Sequence, residues 1–119
     1  MPSDPRTFFL PAPFSANGMY VMRRGSRSGR VHSSHYAKWL RESGWEIKRQ
    51  NVGRKMMFGR VTIRIDLPRR SRMDVDNANK PILDLLQRFH VLENDRQVNA
   101  VTIKRTERGD VLIEITEVK

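Results

Sequence analysis

Two carboxylates lie two residues apart in the middle of this sequence, at Asp74 and Asp76, and Lys80 follows shortly after them. In an extended segment alternate side chains leave the same face, so the two Cα atoms would be roughly 7 Å apart. Negative charges that close repel one another unless a cation lies between them. The pattern therefore predicts a site for Mg²⁺, with Mn²⁺ as the alternative, because both ions prefer oxygen ligands.

A second acidic cluster, Glu93 and Asp95 on either side of Asn94, is the expected partner of the first. Lys80 would place a positive charge beside a phosphate group. Carboxylates, a divalent ion and a cation together are typical of metal-dependent phosphodiester chemistry. The competing interpretation is a solvated acidic turn that does no more than cap a helix.

The charge of the chain favours a polyanionic partner. The sequence has 119 residues and a net charge of +10, and residues 1–60 contain 12 basic side chains against 3 acidic ones. This balance indicates nucleic acid, with an anionic membrane surface as the lesser option. Two arginine-rich stretches are the predicted DNA contacts, namely Arg23, Arg24, Arg27 and Arg30 in the first, and Arg69, Arg70 and Arg72 in the second.

Length and composition predict a single cytoplasmic domain spanning residues 1–119. The absence of cysteine excludes a disulfide scaffold and suits a reducing compartment. No apolar run approaches the roughly 18 residues that a membrane span needs. The first residues also lack the order of basic and apolar segments found in a signal peptide.

Hydrophobic periodicity predicts the elements that must position these residues. Helical spacing predicts a first helix with one buried stripe, formed by Tyr36, Leu40, Ser43 or Gly44, and Ile47. Trp39 and Trp45 cannot both lie on this stripe. We expect a core position for each, and the alternative for one of them is an edge or a subunit contact. A second helix should open between Asp76 and Lys80. Strands are predicted over residues 7–10, 19–22, 60–67, 98–104 and 111–116. We expect the last two to form a hairpin, because a Gly-Asp turn signal at Gly109 and Asp110 lies between them.

This order of elements predicts an α/β or α+β domain. Its expected core is a mixed β-sheet of about four to five strands with two main helices packed on it. The arginine-rich stretch after residue 22 is too polar and glycine-rich for a core element, and is expected at the tip of a hairpin.

The spacing of polar residues around the two central carboxylates resembles that of the RusA family of Holliday junction resolvases. The residues that carry the resemblance are Asp74, Asp76, Asn77, Lys80, Asp84, Asp95 and Gln97. The start of the chain is also similar to that family, at Phe9, Leu10, Pro11, Pro13, Ser15 and Asn17. One departure is Asn94, which stands where the family usually has the first of two adjacent aspartates.

The resemblance implies a homodimeric, magnesium-dependent endonuclease that nicks four-way junction DNA on two opposed strands. Asp74, Asp76 and Asp95 would be its metal-binding catalytic carboxylates, and Lys80 its catalytic lysine. The host process, bacterial recombination or phage DNA processing, stays open.

Two other functions remain alternatives at this point. One is a non-catalytic nucleic-acid-binding module, although a third carboxylate at Asp95 is more than a helix cap needs. The other is a nuclease of broader specificity, acting on branched DNA or RNA. No phosphate-binding P-loop is present, so ATP-driven chemistry is not expected.

Overall fold

The computed structural model describes residues 6–11, 20–22, 30–32, 34–69 and 78–118. Two helices account for much of this part of the chain, α1 (Ser34–Arg49) and α2 (Asn79–Arg88). The strands are β1 (Arg6–Leu10), β2 (Tyr20–Met22), β3 (Arg30–His32), β4 (Val61–Leu67), β5 (Val98–Arg105) and β6 (Val111–Glu117). Short 3₁₀ turns occur at Val52–Arg54 and Asp95–Gln97.

Four of the strands form one mixed sheet in the order β1-β6-β4-β5. β4 runs parallel to β5 and antiparallel to β6, and β6 is antiparallel to β1. β2 and β3 form a separate antiparallel pair, and residues 23–29 between them lie outside the described residues. The predicted mixed sheet with two helices is confirmed, and the fold is of the α+β class.

The expected hairpin of the last two strands is wrong, because β4 lies between β5 and β6. Their composition explains the order. β6 buries four apolar side chains, Val111, Leu112, Ile113 and Ile115, whereas β5 is exposed or half-buried along its whole length. An apolar strand is stabilised by a neighbour on each side, and a polar strand is better tolerated at an edge.

The connection from β5 to β6 therefore crosses the end of β4. Thr106 makes this crossing, because its backbone N–H and its hydroxyl both donate to the carbonyl of Leu67, at 2.9 and 3.1 Å. A guanidinium N–H of Arg105 donates to the carbonyl of Pro68 at 3.4 Å. These bonds satisfy backbone acceptors that the last residues of β4 would otherwise leave unpaired.

Side chains from α1, α2 and one face of the sheet form the core. Val61, Ile63, Ile65 and Leu67 are all 2% exposed or less, which confirms the alternation predicted for this strand. On α1 the predicted stripe of Tyr36, Leu40, Ser43 and Ile47 is buried.

The two tryptophans of α1 differ sharply in exposure. Trp39 is 3% exposed, and its indole N–H donates to the carbonyl of Pro11 at 3.2 Å. Trp45 is 73% exposed, so the expectation that it packs in the core is wrong. Successive residues of a helix are about 100° apart, so Trp45 lies well off the face that carries Trp39. No helix in the described part of the chain is long and apolar enough to span a membrane.

Candidate active site

Lys80 lies in the first turn of α2, which begins within the interval from Asp76 to Lys80 predicted from the sequence. The helix begins at Asn79 after a buried Ala78, and Pro81 occupies its first turn without loss of an intrahelical hydrogen bond. The ammonium of Lys80 is 3.6 Å from the Asp84 carboxylate one turn later. Both side chains are largely exposed, so this pair orients the lysine without immobilising it.

Asp95 opens the 3₁₀ turn that follows α2 and precedes β5. Its side chain is exposed, and within the described residues its carboxylate makes no hydrogen bond or ion pair. Glu93 is exposed as well. The turn therefore presents carboxylate oxygens to the surroundings while its backbone is held in place.

Gln97 is the side chain that holds this turn. Its carbonyl oxygen accepts from the N–H groups of Glu93 and Asn94, each at 2.8 Å. Its amide donates to the carbonyls of Met57 at 2.7 Å and Gly59 at 2.9 Å. Gln97 is only 9% exposed, so these bonds tie the acidic turn to the segment before β4.

Asn94 completes this arrangement as the N-cap of the 3₁₀ turn. Its side-chain oxygen accepts from the backbone N–H of Arg96 at 2.9 Å, and with Gln97 it forms a capping box. An aspartate at this position could accept the same bond, because both residue types are strong N-caps. The side chain at position 94, where this protein lacks the negative charge of an aspartate, therefore serves to cap the turn. Sequence reasoning gave Gln97 no role, although Asn94-x-x-Gln97 has the spacing of this motif.

Two of the predicted carboxylates, Asp74 and Asp76, lie outside the described residues. Within the described ranges no group of three aspartate, glutamate or histidine side chains could hold a metal ion. Two observations nevertheless fit a hard divalent ion in this region. Asp95 offers carboxylate oxygens with no partner among the described residues. Asn79, next to Lys80, has a buried side-chain oxygen that accepts from no described donor.

The predicted DNA contacts are described in part. Arg69 is exposed and forms an ion pair with Glu107 at 3.0 Å. Both side chains are more than 70% exposed, so the pair is weak and can exchange for a phosphate. The side chain of Arg30 in β3 is outside the description, as are Arg23, Arg24, Arg27, Arg70 and Arg72.

A charged cluster on the sheet face opposite the core was not anticipated. Asp66 on β4 is 6% exposed, and one of its carboxylate oxygens has no hydrogen-bond donor in the part of the chain that the structure describes. The Arg64 guanidinium lies between Asp66, at 3.6 Å, and Glu114 on β6, at 3.8 Å. The alternation of β4 predicted the face that carries Asp66, but its burial depends on neighbours from other strands.

Comparison with known proteins identifies the family. A sequence profile described as "Endodeoxyribonuclease RusA" matches residues 11–116. The chain belongs to the RusA family. It is also 31% identical over 103 residues to a protein of Aquifex aeolicus (strain VF5) named "Crossover junction endodeoxyribonuclease RusA", a match that covers 84% of this chain and 78% of that protein. The resemblance drawn from the sequence is confirmed.

Proposed function

We propose that this protein is a magnesium-dependent endonuclease that resolves Holliday junctions, cutting one phosphodiester in each of two opposed strands of four-way junction DNA. Its family membership supports the activity. The structural observation that carries the proposal is Asp95, an exposed carboxylate on a turn fixed by four hydrogen bonds of one buried glutamine. A turn that only connected α2 to β5 would not need four hydrogen bonds from one buried side chain to hold its backbone.

In this proposal Asp74, Asp76 and Asp95 hold Mg²⁺, or Mn²⁺ in its place. When bound there, such an ion would supply positive charge beside the scissile phosphate and would favour attack by water at neutral pH. Gln97 and Asn94 hold the backbone on either side of Asp95, so that little backbone reorganisation is needed when substrate binds. Lys80 stabilises negative charge that develops on the phosphate, and Asp84 orients its ammonium.

We further propose a homodimer with two active sites, working in the cytoplasm on DNA. A two-fold dimer matches a substrate of near two-fold symmetry, so each copy would cut one strand. Sedimentation at several protein concentrations tests the dimer. A molecule that sediments as a monomer on the junction would contradict paired cutting.

The direct experiment incubates the protein with a synthetic four-way junction carrying labels on two opposed strands. Mg²⁺, Mn²⁺, Ca²⁺ and EDTA are compared, with linear duplex, a forked duplex and RNA of the same sequence as control substrates. We expect nicks on both labelled strands with Mg²⁺ or Mn²⁺ and none with EDTA. Equal cleavage of the fork or the RNA would instead indicate the broader nuclease, and binding without cleavage would indicate the non-catalytic module.

The role of Asp95 is tested by Asp95→Asn, with Glu93→Gln as the matched control two residues away. Both changes remove one negative charge from the same exposed turn. We expect Asp95→Asn to lower the cleavage rate by about a thousandfold or more, as loss of a metal-ligating carboxylate does, while junction binding stays near wild type. Glu93→Gln should cleave within about threefold of wild type, as expected for an exposed side chain outside the reaction. Equal loss in the two variants would remove Asp95 from its assigned role.

A further inference from the structure

A groove of about 480 Å³ lies where the C-terminal ends of α1 and α2 meet. Lys48 from α1, and Arg88 and His90 from the end of α2, line it together with the ring of Phe89. Close approach of the two helices is possible because residue 44 is glycine. A Cβ there would be 2.4 Å from the Phe89 ring.

The charge lining this groove is uncompensated. No acidic side chain of the described residues lines it, and neither Lys48 nor Arg88 has an ion-pair partner among them. The neighbouring Arg49 differs, because Glu46 binds its guanidinium at 2.6 Å and this contact lowers the pKa of the glutamate. The helix dipole stabilises cations at helix C-termini. It accounts for one basic residue at the end of one helix, but not for basic residues of two helices that line the same groove.

The backbone at the groove is unusual in the same place. α2 ends with the N–H of Val91 donating to Leu86 and that of His90 to Gln87, the pattern of a Schellman motif. The left-handed position of that motif usually belongs to glycine, yet His90 occupies it at φ 60°. Asn51, just beyond α1, is also left-handed, at φ 56°, and lines the same groove. Both polar residues therefore occupy the left-handed backbone conformation, which is less favourable for a residue with a side chain than for glycine.

An exposed aromatic side chain continues this surface along α1. Trp45 is 73% exposed and lies between Arg41, four residues before it, and Lys48, three residues after it. These spacings place the three side chains on one face of the helix. Within the described residues Arg41 has no ion-pair partner either. Cations interleaved with an aromatic ring form the type of surface that binds a nucleic-acid strand.

We propose that Arg41, Trp45, Lys48, Arg88 and His90 form a second DNA-binding surface, which holds the backbone of a junction arm. This inference rests on the proposed function. Phosphates lie in the groove between Lys48 and Arg88, and His90 donates a hydrogen bond to one of them. The indole of Trp45 covers the apolar face of a sugar or base beside them.

A second copy of the chain is the less favoured occupant. In a two-fold dimer contact the same patch faces itself, so Arg41, Lys48 and Arg88 of one copy would lie close to those of its partner. Like charges brought together in this way oppose association. A strand of phosphates has the opposite charge and needs no such rearrangement.

The test measures junction binding in EDTA, where cleavage is blocked, for the double variant Lys48→Gln/Arg88→Gln. The matched control is Arg60→Gln/Lys104→Gln, which likewise removes one exposed arginine and one exposed lysine with no ion-pair partner among the described residues, neither of them on α1 or α2. At about 0.1 M salt each lost phosphate contact should weaken binding about eightfold, and the plot of log affinity against log salt should become shallower by about one for each. We expect the control to bind within about threefold of wild type, since distant charges are screened.

Tryptophan fluorescence gives an independent readout. Trp45 is the one tryptophan open to solvent, so acrylamide should quench it, and the quenched fraction should disappear in Trp45→Phe. Junction DNA should protect wild-type Trp45 from quenching.

The outcomes separate this inference from the proposed function. If wild type cleaves junctions but the double variant binds them no worse than the control, the second surface is wrong and the nuclease stands. If wild type does not cleave yet the double variant alone loses affinity, the surface stands and the nuclease is wrong. If Trp45→Ala converts a dimer into a monomer, the patch is a subunit contact and the inference falls.

Discussion

At the scale of single residues, the buried side chain of Gln97 joins two segments of the chain through four hydrogen bonds. It satisfies two backbone donors of the acidic turn and two backbone acceptors near β4. Most glutamines are exposed, so nothing in its residue type predicts burial. The capping-box spacing with Asn94 was readable from the sequence. The contacts with Met57 and Gly59, some forty residues earlier in the chain, were not.

We predict that Gln97→Leu lowers the free energy of unfolding by about 2–4 kcal/mol, because several backbone groups lose their partners in a buried site. Gln87→Leu is the matched control, since its amide makes one longer bond, at 3.3 Å to Leu83. That change should cost less than about 1 kcal/mol. Urea unfolding followed by circular dichroism measures both. Equal midpoints would show that the bracing contributes nothing.

The charged cluster of Arg64, Asp66 and Glu114, on the sheet face opposite the core, leads to a second prediction about single residues. Arg64→Met should destabilise the protein by about 2–3 kcal/mol, because the buried carboxylate of Asp66 loses its nearest positive charge. Asp66→Asn should cost less than about 1 kcal/mol, since it removes a buried charge and leaves Arg64, which is 42% exposed, beside Glu114.

Asp66→Asn should also recover much of the loss when it is combined with Arg64→Met. A double-mutant cycle from denaturant unfolding tests this coupling. If the two effects simply add, the pair is not coupled in the folded protein.

At the scale of elements, the residue that ends α2 has a backbone conformation that is unfavourable for stability and a side chain that belongs to the proposed DNA-binding surface. His90→Gly should stabilise the fold by about 0.5–1 kcal/mol, because glycine adopts the left-handed conformation without a Cβ penalty. Asn51→Gly should gain less, since asparagine tolerates that conformation better than most residues. Thermal unfolding measures both changes. A lower Tm for His90→Gly would mean that its side chain stabilises the fold itself.

Sequence periodicity predicted where the helices and strands lie better than it predicted which strands pair with one another. α1, α2 and β4 followed from strong apolar spacing, and their buried residues agree with it. The pairing of β5 and β6 was wrong because a Gly-Asp turn signal is local, whereas partner choice depends on which strand most needs burial on both sides. Trp45 was misplaced because a large aromatic residue was expected in the core, and an exposed one is recognised only after the helix face is known.

At the scale of the whole molecule, charge was the most informative property of the sequence. The net charge of +10 indicated a nucleic-acid partner before any contact was known, which agrees with membership of the RusA family. It did not locate the unpaired cations, because Arg49 and Lys48 are adjacent and equally basic, yet only Arg49 is neutralised. Which cations remain free depends on the carboxylates that folding brings near them.

The place of β6 in the sheet has a consequence for how the protein is made. β1 pairs with β6 and with no other described strand, although more than 90 residues separate them in the chain. β6 follows the other described strands along the chain, so β1 and β4 emerge from the ribosome with their shared partner still missing. Assembly of the sheet must therefore wait until β6 has been synthesised, and a nascent chain stalled before residue 111 could not close its core.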